Sequence, residues 1–133
     1  MTSPAFAVAT YIDSNSATLT AGTNIFVGRL QETPDLCVAV ADYSSQAPEF
    51  TMGSSSLDHS DLEIVVRCTR NDYATGEDLA QTLRTLLNAI TPGTYSGLSI
   101  LRVAPVDAVT ALPPDKNDRP IFSARFSAVI QRG

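Results

Sequence analysis

The 133-residue sequence lacks long apolar runs and lacks the start of an export signal. Its apolar stretches are interrupted by polar residues well before the length of about 18 residues that marks a membrane-spanning helix. The first residues have neither the basic start nor the continuous apolar segment of a signal peptide. With 44 % hydrophobic residues, the chain is still long enough to bury a core. We therefore predict a single soluble domain over residues 1–133 that is not exported and does not bind membranes.

Histidine and cysteine are also scarce. His59 is the only histidine, and Cys37 and Cys68 are the only cysteines. These residues, in separate segments, do not supply the four ligands of a structural zinc site. Both cysteines lie in apolar, strand-like runs, where a thiol usually behaves as a small hydrophobic side chain. We predict that both are reduced core residues and that the chain binds no metal.

Motifs for catalysis and for nucleotide binding are missing as well. The segment Asp58-His59-Ser60-Asp61 contains the residue types of a catalytic relay, but adjacent residues of an extended loop point in different directions. Gly53-Ser-Ser-Ser lacks the Gly-Lys-Ser ending of a phosphate-binding loop. The sequence therefore predicts neither an enzyme nor a cofactor site.

Charge is unevenly distributed along the chain, whose formal net charge is −5. From Ile64 to Gly133 there are eight basic and six acidic residues, without the basic stripe that is typical of nucleic-acid binding. An acidic zone and a mildly basic zone favour head-to-tail self-association, and the alternative is a mixed solvated surface. The acidic zone contains no Lys or Arg and comprises Asp35, Asp42, Glu49, Asp58, Asp61 and Glu63.

Two segments have helical periodicity. A helix of about three turns is predicted to begin at Ser3-Pro4, with Ser3 as N-cap, and to end after Ile12. A second helix is predicted after Asp72 or Thr75, either of which can cap it, and it ends at Thr91-Pro-Gly93. Its apolar residues repeat at helical spacing and are Leu79, Leu83, Leu86, Leu87 and Ile90.

Alternating or continuous apolar patterns predict five strands. Residues 36–42 are nearly all apolar, which is typical of a strand covered on both faces, and we place this strand centrally. In the last strand Ser123, Arg125 and Ser127 face outward, and apolar residues alternate with them. The other strands cover residues 24–30, 61–69 and 99–106, and the core face of the last strand carries Phe122, Ala124, Phe126, Ala128 and Ile130.

The order of these elements is helix, strand, strand, loop, strand, helix, strand, strand. The second helix is a crossover between two strands, which predicts a parallel or mixed pairing there. We predict an α+β fold with one mixed, mainly antiparallel sheet and two helices on one face.

Two long exposed loops are predicted, over residues 43–60 and 107–119. The first is rich in Ser, and its isolated apolar residues suit a segment that orders on a partner; the alternative is a hairpin with a small hydrophobic tip. Arginines on the outward side of the strands would form a protein–protein surface, and the alternative is single solvated charges. The candidate subunit or partner contacts are Glu49, Phe50, Met52, Arg67, Arg102, Arg119 and Arg125.

Several short motifs occur in order from about Ile25 to the end of the chain. They are Phe26-Val-Gly-Arg-Leu, a Pro-Asp turn, Cys37-Val-Ala-Val-Ala-Asp-Tyr43, Leu62-Glu-Ile-Val-Val-Arg67, Asp72-Tyr73 entering a helix with Asp78-Leu79-Ala80 and Leu86-Leu87, and Asn117-Asp-Arg-Pro-Ile-Phe122 leading into Phe126. In their order and spacing these motifs resemble the small phage proteins known as minor capsid or tail-completion proteins, which include the tail terminators of long-tailed phages.

Members of that family form hexameric rings that sit on the end of the tail tube, stop its polymerisation and provide the surface for the head connector. The resemblance implies a structural protein of the virion tail or neck, assembled in the host cytoplasm. Its partners would be its own copies, the tail-tube protein and a head connector or stopper protein.

DNA would pass through the bore of such a ring without specific binding, and an acidic lining would suit that passage. The alternative function is a small oligomeric α+β ligand-binding or regulatory domain. That function predicts an apolar pocket with convergent polar groups between the second helix and the sheet.

Overall fold

The structure is a computed structural model that describes residues 4–15, 19–20, 22–32, 34–45, 49–50, 56–95 and 97–132. The described chain contains helix α1 (Pro4–Asn15), helix α2 (Tyr73–Asn88) and one sheet of eight strands. The strands are β1 (Ile25–Val27), β2 (Cys37–Ser45), β3 (Glu49–Phe50), β4 (Ser56–Arg67), β5 (Gly93–Tyr95), β6 (Leu98–Pro105), β7 (Thr110–Leu112) and β8 (Ile121–Arg132).

The sheet has β8 near its centre. Its main path runs in the order β1, β2, β4, β8, β6, β5. β3 also pairs with β4, and β7 continues the line of β6 along β8. β1 and β2 are parallel, whereas the other described pairs are antiparallel. The predicted α+β class with a mixed, mainly antiparallel sheet is confirmed.

Both helices pack on one face of the sheet, as predicted. Along β8, alternate residues from Phe122 to Ile130 are buried on this face, while Arg125 on the opposite face is exposed. Leu83 of α2 and Ile12 of α1 belong to the same buried cluster. Burial of each such side chain contributes about 1.5–3 kcal/mol, because apolar area is removed from water. The core therefore fills the space between one sheet face and the two helices.

The sheet curls around α1. This helix contacts β1, β2 and β4, and it also contacts β5 at the far end of the strand order. Tyr11 connects it to that end, since its ring packs edge-on against Tyr95 with 5.4 Å between the ring centroids. The Tyr11 hydroxyl donates to the Leu86 carbonyl oxygen at 3.5 Å. Both ends of the strand order thus close on one helix.

Cys37 and Cys68 are both free and buried, as expected from the sequence. Cys68 belongs to the buried cluster between the sheet and the helices, whereas Cys37 is buried on the other side of the sheet. Burial raises the pKa of both thiols above the ordinary value, and the nearby Arg67 acts in the opposite direction on Cys37 without reversing the shift. Both thiols are therefore protonated at neutral pH and pack as small hydrophobic groups.

Helix α2 packs tightly against the sheet region at Gly76, in its first turn. A Cβ atom at this position would lie 2.6 Å from Cys68 Sγ and 2.8 Å from Phe122 Cε2, closer than nonbonded carbon and sulfur atoms pack. Tyr73 packs edge-on against the same Phe122 ring, with 4.8 Å between the centroids. Only a residue without a side chain permits this contact.

The predicted loop over residues 43–60 contains parts of three strands. β2 continues to Ser45, β3 lies within the segment, and β4 begins at Ser56. The cause is β8, which pairs with β4 from Arg132 opposite Ser56 to Ile121 opposite Arg67. Such long-range pairing overrides the Ser-rich composition of the segment. The predicted loop over residues 107–119 is corrected in the same way, because it contains β7.

Other boundaries differ from the predictions for local reasons. β1 ends at Val27 because Gly28, with φ of +102°, turns the chain. β5 is an additional strand in the segment that was predicted to end the second helix. α2 is followed by β5 and then β6, and neither strand pairs with β4, because β8 lies between β4 and β6. The parallel pair is β1 with β2.

The N-terminus of α1 is bound by Asp42 of β2. Asp42 Oδ1 accepts a hydrogen bond from the Ala5 N–H at 3.2 Å. A carboxylate at this end of a helix also interacts favourably with the helix dipole. Ser3, the predicted N-cap, lies outside the described residues. Asp42 therefore fixes the helix to the sheet.

Replacing Asp42 with alanine should lower the free energy of unfolding by about 1 kcal/mol, because a helix N–H loses its acceptor. Urea denaturation followed by circular dichroism measures this loss. Asp13→Ala is the matched control, since Asp13 lies near the C-terminal end of the same helix, where a carboxylate opposes the dipole. Equal losses in the two variants would contradict the capping role.

Candidate functional site

The sheet face opposite the two helices, hereafter the outer face, has an acid–base pair at its centre. Glu63 of β4 and Arg125 of β8 are directly opposed. Ser123 Oγ donates to Glu63 Oε2 at 2.8 Å, and Arg125 Nε lies 3.8 Å from the same oxygen. The Arg125 and Glu63 side chains keep 45 % and 26 % of their area exposed. Solvent screens this pair, and both groups remain accessible to a partner.

A cleft of about 250 Å³ lies beside this pair. β7 and the connection from β6 form its other wall, with Asp107, Thr110 and Leu112 exposed there. The outward side of an antiparallel sheet normally carries polar residues when it faces water. Here it also carries the half-buried apolar residues Val65 and Val129, which favours contact with another protein surface. Cys37 and Ala39 lie on the same face but are already covered by the chain itself.

Arg102 is exposed because β6 contains a β-bulge. The register of β6 with β8 shifts after Ile100, so Leu101 is an extra residue in the strand. Ile100 and Val103 are consequently both buried, and Arg102 between them is exposed. Strict alternation from Ile100 would instead direct residue 102 into the core. The structure places Arg102 and Arg125 among the exposed residues, as expected from the sequence.

Arg67, by contrast, is buried at the end of β4. Its Nε donates to the Asp35 carbonyl oxygen at 3.1 Å. Its Nη2 donates to the carbonyl oxygens of Gln31, Glu32 and Pro34, the last at 2.8 Å. These carbonyls lie outside helices and strands and need donors. Arg67 therefore organises the chain before β2 instead of facing a partner.

Arg119 is also buried, with only 6 % of its side chain exposed. Its guanidinium binds three carboxylates, with Nε 2.8 Å from Asp115 Oδ2, Nη1 3.1 Å from Asp35 Oδ1 and Nη2 3.2 Å from Glu32 Oε1. Nη1 also donates to the Glu32 carbonyl oxygen at 2.9 Å. Arg119 thus joins the turn before β8 to the segment before β2.

This arginine network changes the titration of its members. Burial alone would raise the pKa of Asp115, but hydrogen bonds from the backbone N–H groups of Arg119 and Asn117 and from the Arg119 guanidinium outweigh burial and lower that pKa. Burial alone would lower the pKa of Arg119, and the bonds to Asp115 and Asp35 raise it. Arg119 and Asp115 are therefore both ionised at neutral pH.

The two buried arginines were not predictable as structural residues from local patterns. Their partners before β2 lie 32–36 positions from Arg67 and 84–87 positions from Arg119. One local signal exists, since Asp115 and Arg119 are four residues apart in a polar turn. In the structure Asp115 Oδ1 accepts from the backbone N–H of Arg119 at 2.9 Å, which closes that turn.

Three further residues were predicted as contacts. Glu49 and Phe50 form β3, of which the structure describes the backbone, and Met52 lies outside the described residues. Their role as contacts stays a prediction.

His59 and Ser60 lie in β4 and not in a loop. Adjacent residues of a strand face opposite sides, so this pair has no relay geometry. Within the described ranges, no group of three or more His, Cys, Asp or Glu residues could hold a metal ion. Neither α1 nor α2, the helices of the described chain, is both long and apolar enough to cross a membrane.

Residues 11–132, which include α2 and every described strand, match the family model described as "Bacteriophage tail terminator protein". The chain belongs to the tail terminator family. The resemblance that the sequence motifs indicated is thereby confirmed. The chain is therefore a structural protein of a phage-type tail.

The fold of this terminator recurs in a solved structure titled "Virion of native gene transfer agent (GTA) particle". The similar chain has a TM-score of 0.62 and 16 % sequence identity, and the match covers 84 % of this chain and 81 % of that chain. At this identity the likeness concerns the fold. Comparison with curated proteins finds no match. The terminator therefore shares its architecture with a chain of a virion.

Proposed function

We propose that this terminator closes into a ring of its own copies, expected to be a hexamer, that caps the tail tube in the virion neck. The cap stops polymerisation of the tube and presents a surface to which a head connector or stopper protein docks. DNA passes through the bore without specific binding, and assembly takes place in the host cytoplasm. The role is structural and involves no catalysis and no cofactor.

The match to the tail terminator family over residues 11–132 carries this proposal. The outer face supports it, because exposed arginines beside half-buried apolar residues are typical of protein–protein contacts. A closed ring also needs two different surfaces on each copy. The outer face and the helix-covered side of the domain provide two such surfaces.

The alternative function, a ligand-binding or regulatory domain, requires an apolar cleft between α2 and the sheet. At Gly76 this space has no room for one additional methyl group. Leu83 and Leu87 of α2 fill it further along the helix, since both are buried. The packing of these residues does not favour a pocket there.

The test of the proposal is growth of tail tubes from capped ends. Tubes of the tail-tube protein from the same virion are assembled first and are then incubated with the terminator. Fluorescently labelled tube subunits are added next, and electron and fluorescence microscopy record where they attach. We expect a ring on one end of each tube and no labelled extension at that end. Native mass spectrometry of released caps gives the number of copies.

Two controls make the result specific. Heat-denatured terminator should leave extension unchanged at both ends, and excess unlabelled tube protein should not remove the ring. Extension of both ends in the presence of folded terminator, or attachment of the terminator along the sides of the tubes, would overturn the proposed function.

A further inference from the structure

The bulge of β6 presents a residue pair that suits docking. Leu101 is half-buried and Arg102 is exposed. Arg102 forms no hydrogen bond or ion pair with the part of the chain that the structure describes. An arginine side chain combines an apolar stem with a guanidinium that binds carboxylates through two parallel hydrogen bonds. Leu101 and Arg102 together therefore suit binding to an apolar depression that has carboxylates at its edge.

The side of α2 that faces away from the sheet has that combination. Glu77 and Asp78 are exposed there, and the one basic residue of α2, Arg84, is half-buried two turns after Glu77 and does not line the depression described next. Four residues further along the helix, and so on the same side one turn later, a shallow depression of about 410 Å³ begins. The depression is mainly apolar and is lined by Gln81, Thr82, Thr85 and Leu86.

We propose that Arg102 of one copy docks on α2 of the next copy. Its guanidinium binds Glu77 and Asp78, and its stem together with Leu101 occupies the depression beside them. This contact rests on the proposed function, because the ring supplies the second copy.

The occupant is a second copy because the two surfaces match in charge but cannot meet within one chain. Arg102 lies on the outer face, and α2 covers the opposite face of the same sheet. The contact joins different surfaces on the two copies, so it is heterologous and repeats around a closed ring. Each subunit then contributes Arg102 to one neighbour and α2 to the other neighbour.

Charge reversal tests the pairing. Arg102→Glu and Asp78→Arg are made singly and together, and association between copies is measured by mass photometry and analytical ultracentrifugation over a dilution series. The same dilution series is repeated in the presence of tail tubes, so that association of copies on tube ends is also measured. Each single reversal should raise the dissociation constant between copies at least about 100-fold, because like charges then face each other. The double variant should return to within about tenfold of wild type, because the pair is restored in the opposite sense.

Arg29→Glu is the matched control, since Arg29 is exposed after β1 and its reversal changes the net charge equally. It should associate like wild type, and thermal unfolding should show that every variant is folded. The inference is overturned if a single reversal associates as tightly as wild type, or if the double variant stays as weak as the singles. Wild-type protein that never associates, alone or on tube ends, would overturn the proposed function itself.

Discussion

Replacement of the buried Arg119 with alanine is expected to lower the free energy of unfolding by about 3 kcal/mol, as measured by urea denaturation. The guanidinium makes charge-assisted bonds to Asp115, Asp35 and Glu32, and all are lost at once. Asp35 and Glu32 keep 55 % and 67 % of their side chains exposed, so water can solvate them again. The expected loss therefore lies at the lower end of the range for buried ion pairs.

Arg70→Ala is the matched control, because Arg70 lies 3.9 Å from Asp118 in the same region but is 66 % exposed. This substitution should lower the free energy of unfolding by at most about 0.5 kcal/mol. Arg119→Lys should fall between the two, since lysine keeps the charge but cannot reproduce the planar set of bonds. Equal stabilities of the Arg119 and Arg70 variants would contradict the role of the buried network.

The same network gives a pH signature. Because the pKa of Asp115 is lowered in the folded protein, its contribution to stability is complete above the ordinary carboxyl value of 3.8 and is lost as the pH falls below it. Urea denaturation between neutral and acidic pH should show this loss in wild type. The loss should be smaller in Arg119→Ala, because the Asp115 carboxylate no longer binds the guanidinium and protonation then breaks fewer interactions.

Gly76→Val is expected to destabilise the fold by about 3 kcal/mol, through overpacking between α2 and the sheet. Its Cβ alone would meet Cys68 Sγ at 2.6 Å and Phe122 Cε2 at 2.8 Å. Valine has a higher helix propensity than glycine, which stabilises the helix by less than about 1 kcal/mol. The steric overlap is larger, so the net effect of the substitution is destabilising. Urea denaturation at neutral pH measures the difference.

Gly93→Ala is the control for this substitution. A Cβ at Gly93 would make only ordinary contacts, at 3.6 Å or more, with the Tyr95 ring. A second comparison places Gly76→Ala in a Cys68→Ala background, where removal of the sulfur should recover part of the loss. Full stability of Gly76→Val would show that α2 can shift and that the close approach is not needed.

The strongly periodic elements were predictable because their local pattern and their tertiary environment agree. In α2 the spacing of Leu83 and Leu87 places both against the sheet, and both are buried. In β8 the alternation from Phe122 to Ile130 gives one core face. Family motifs within these elements also led to the correct family.

The strands and buried arginines that were not predictable depend on partners that are distant in sequence. The N-terminal part of β4 and all of β7 exist because β8 is long enough to pair with them. Arginine is usually a surface residue. Arg67 and Arg119 are buried because carbonyl and carboxylate groups from another part of the chain bind their guanidinium groups. Arg102 is exposed as expected, but the bulge beside it is defined by pairing with β8 and is not visible in the local pattern.

The central position of β8 has a consequence for the timing of assembly. β8 is the latest of the described strands to leave the ribosome, yet β4, β6 and β7 all pair with it. The register shift that exposes Arg102 is defined against β8, so it cannot exist in a nascent chain that stops short of that strand. If Arg102 docks on α2 of the next copy as we propose, incomplete translation products lack one of the two docking surfaces.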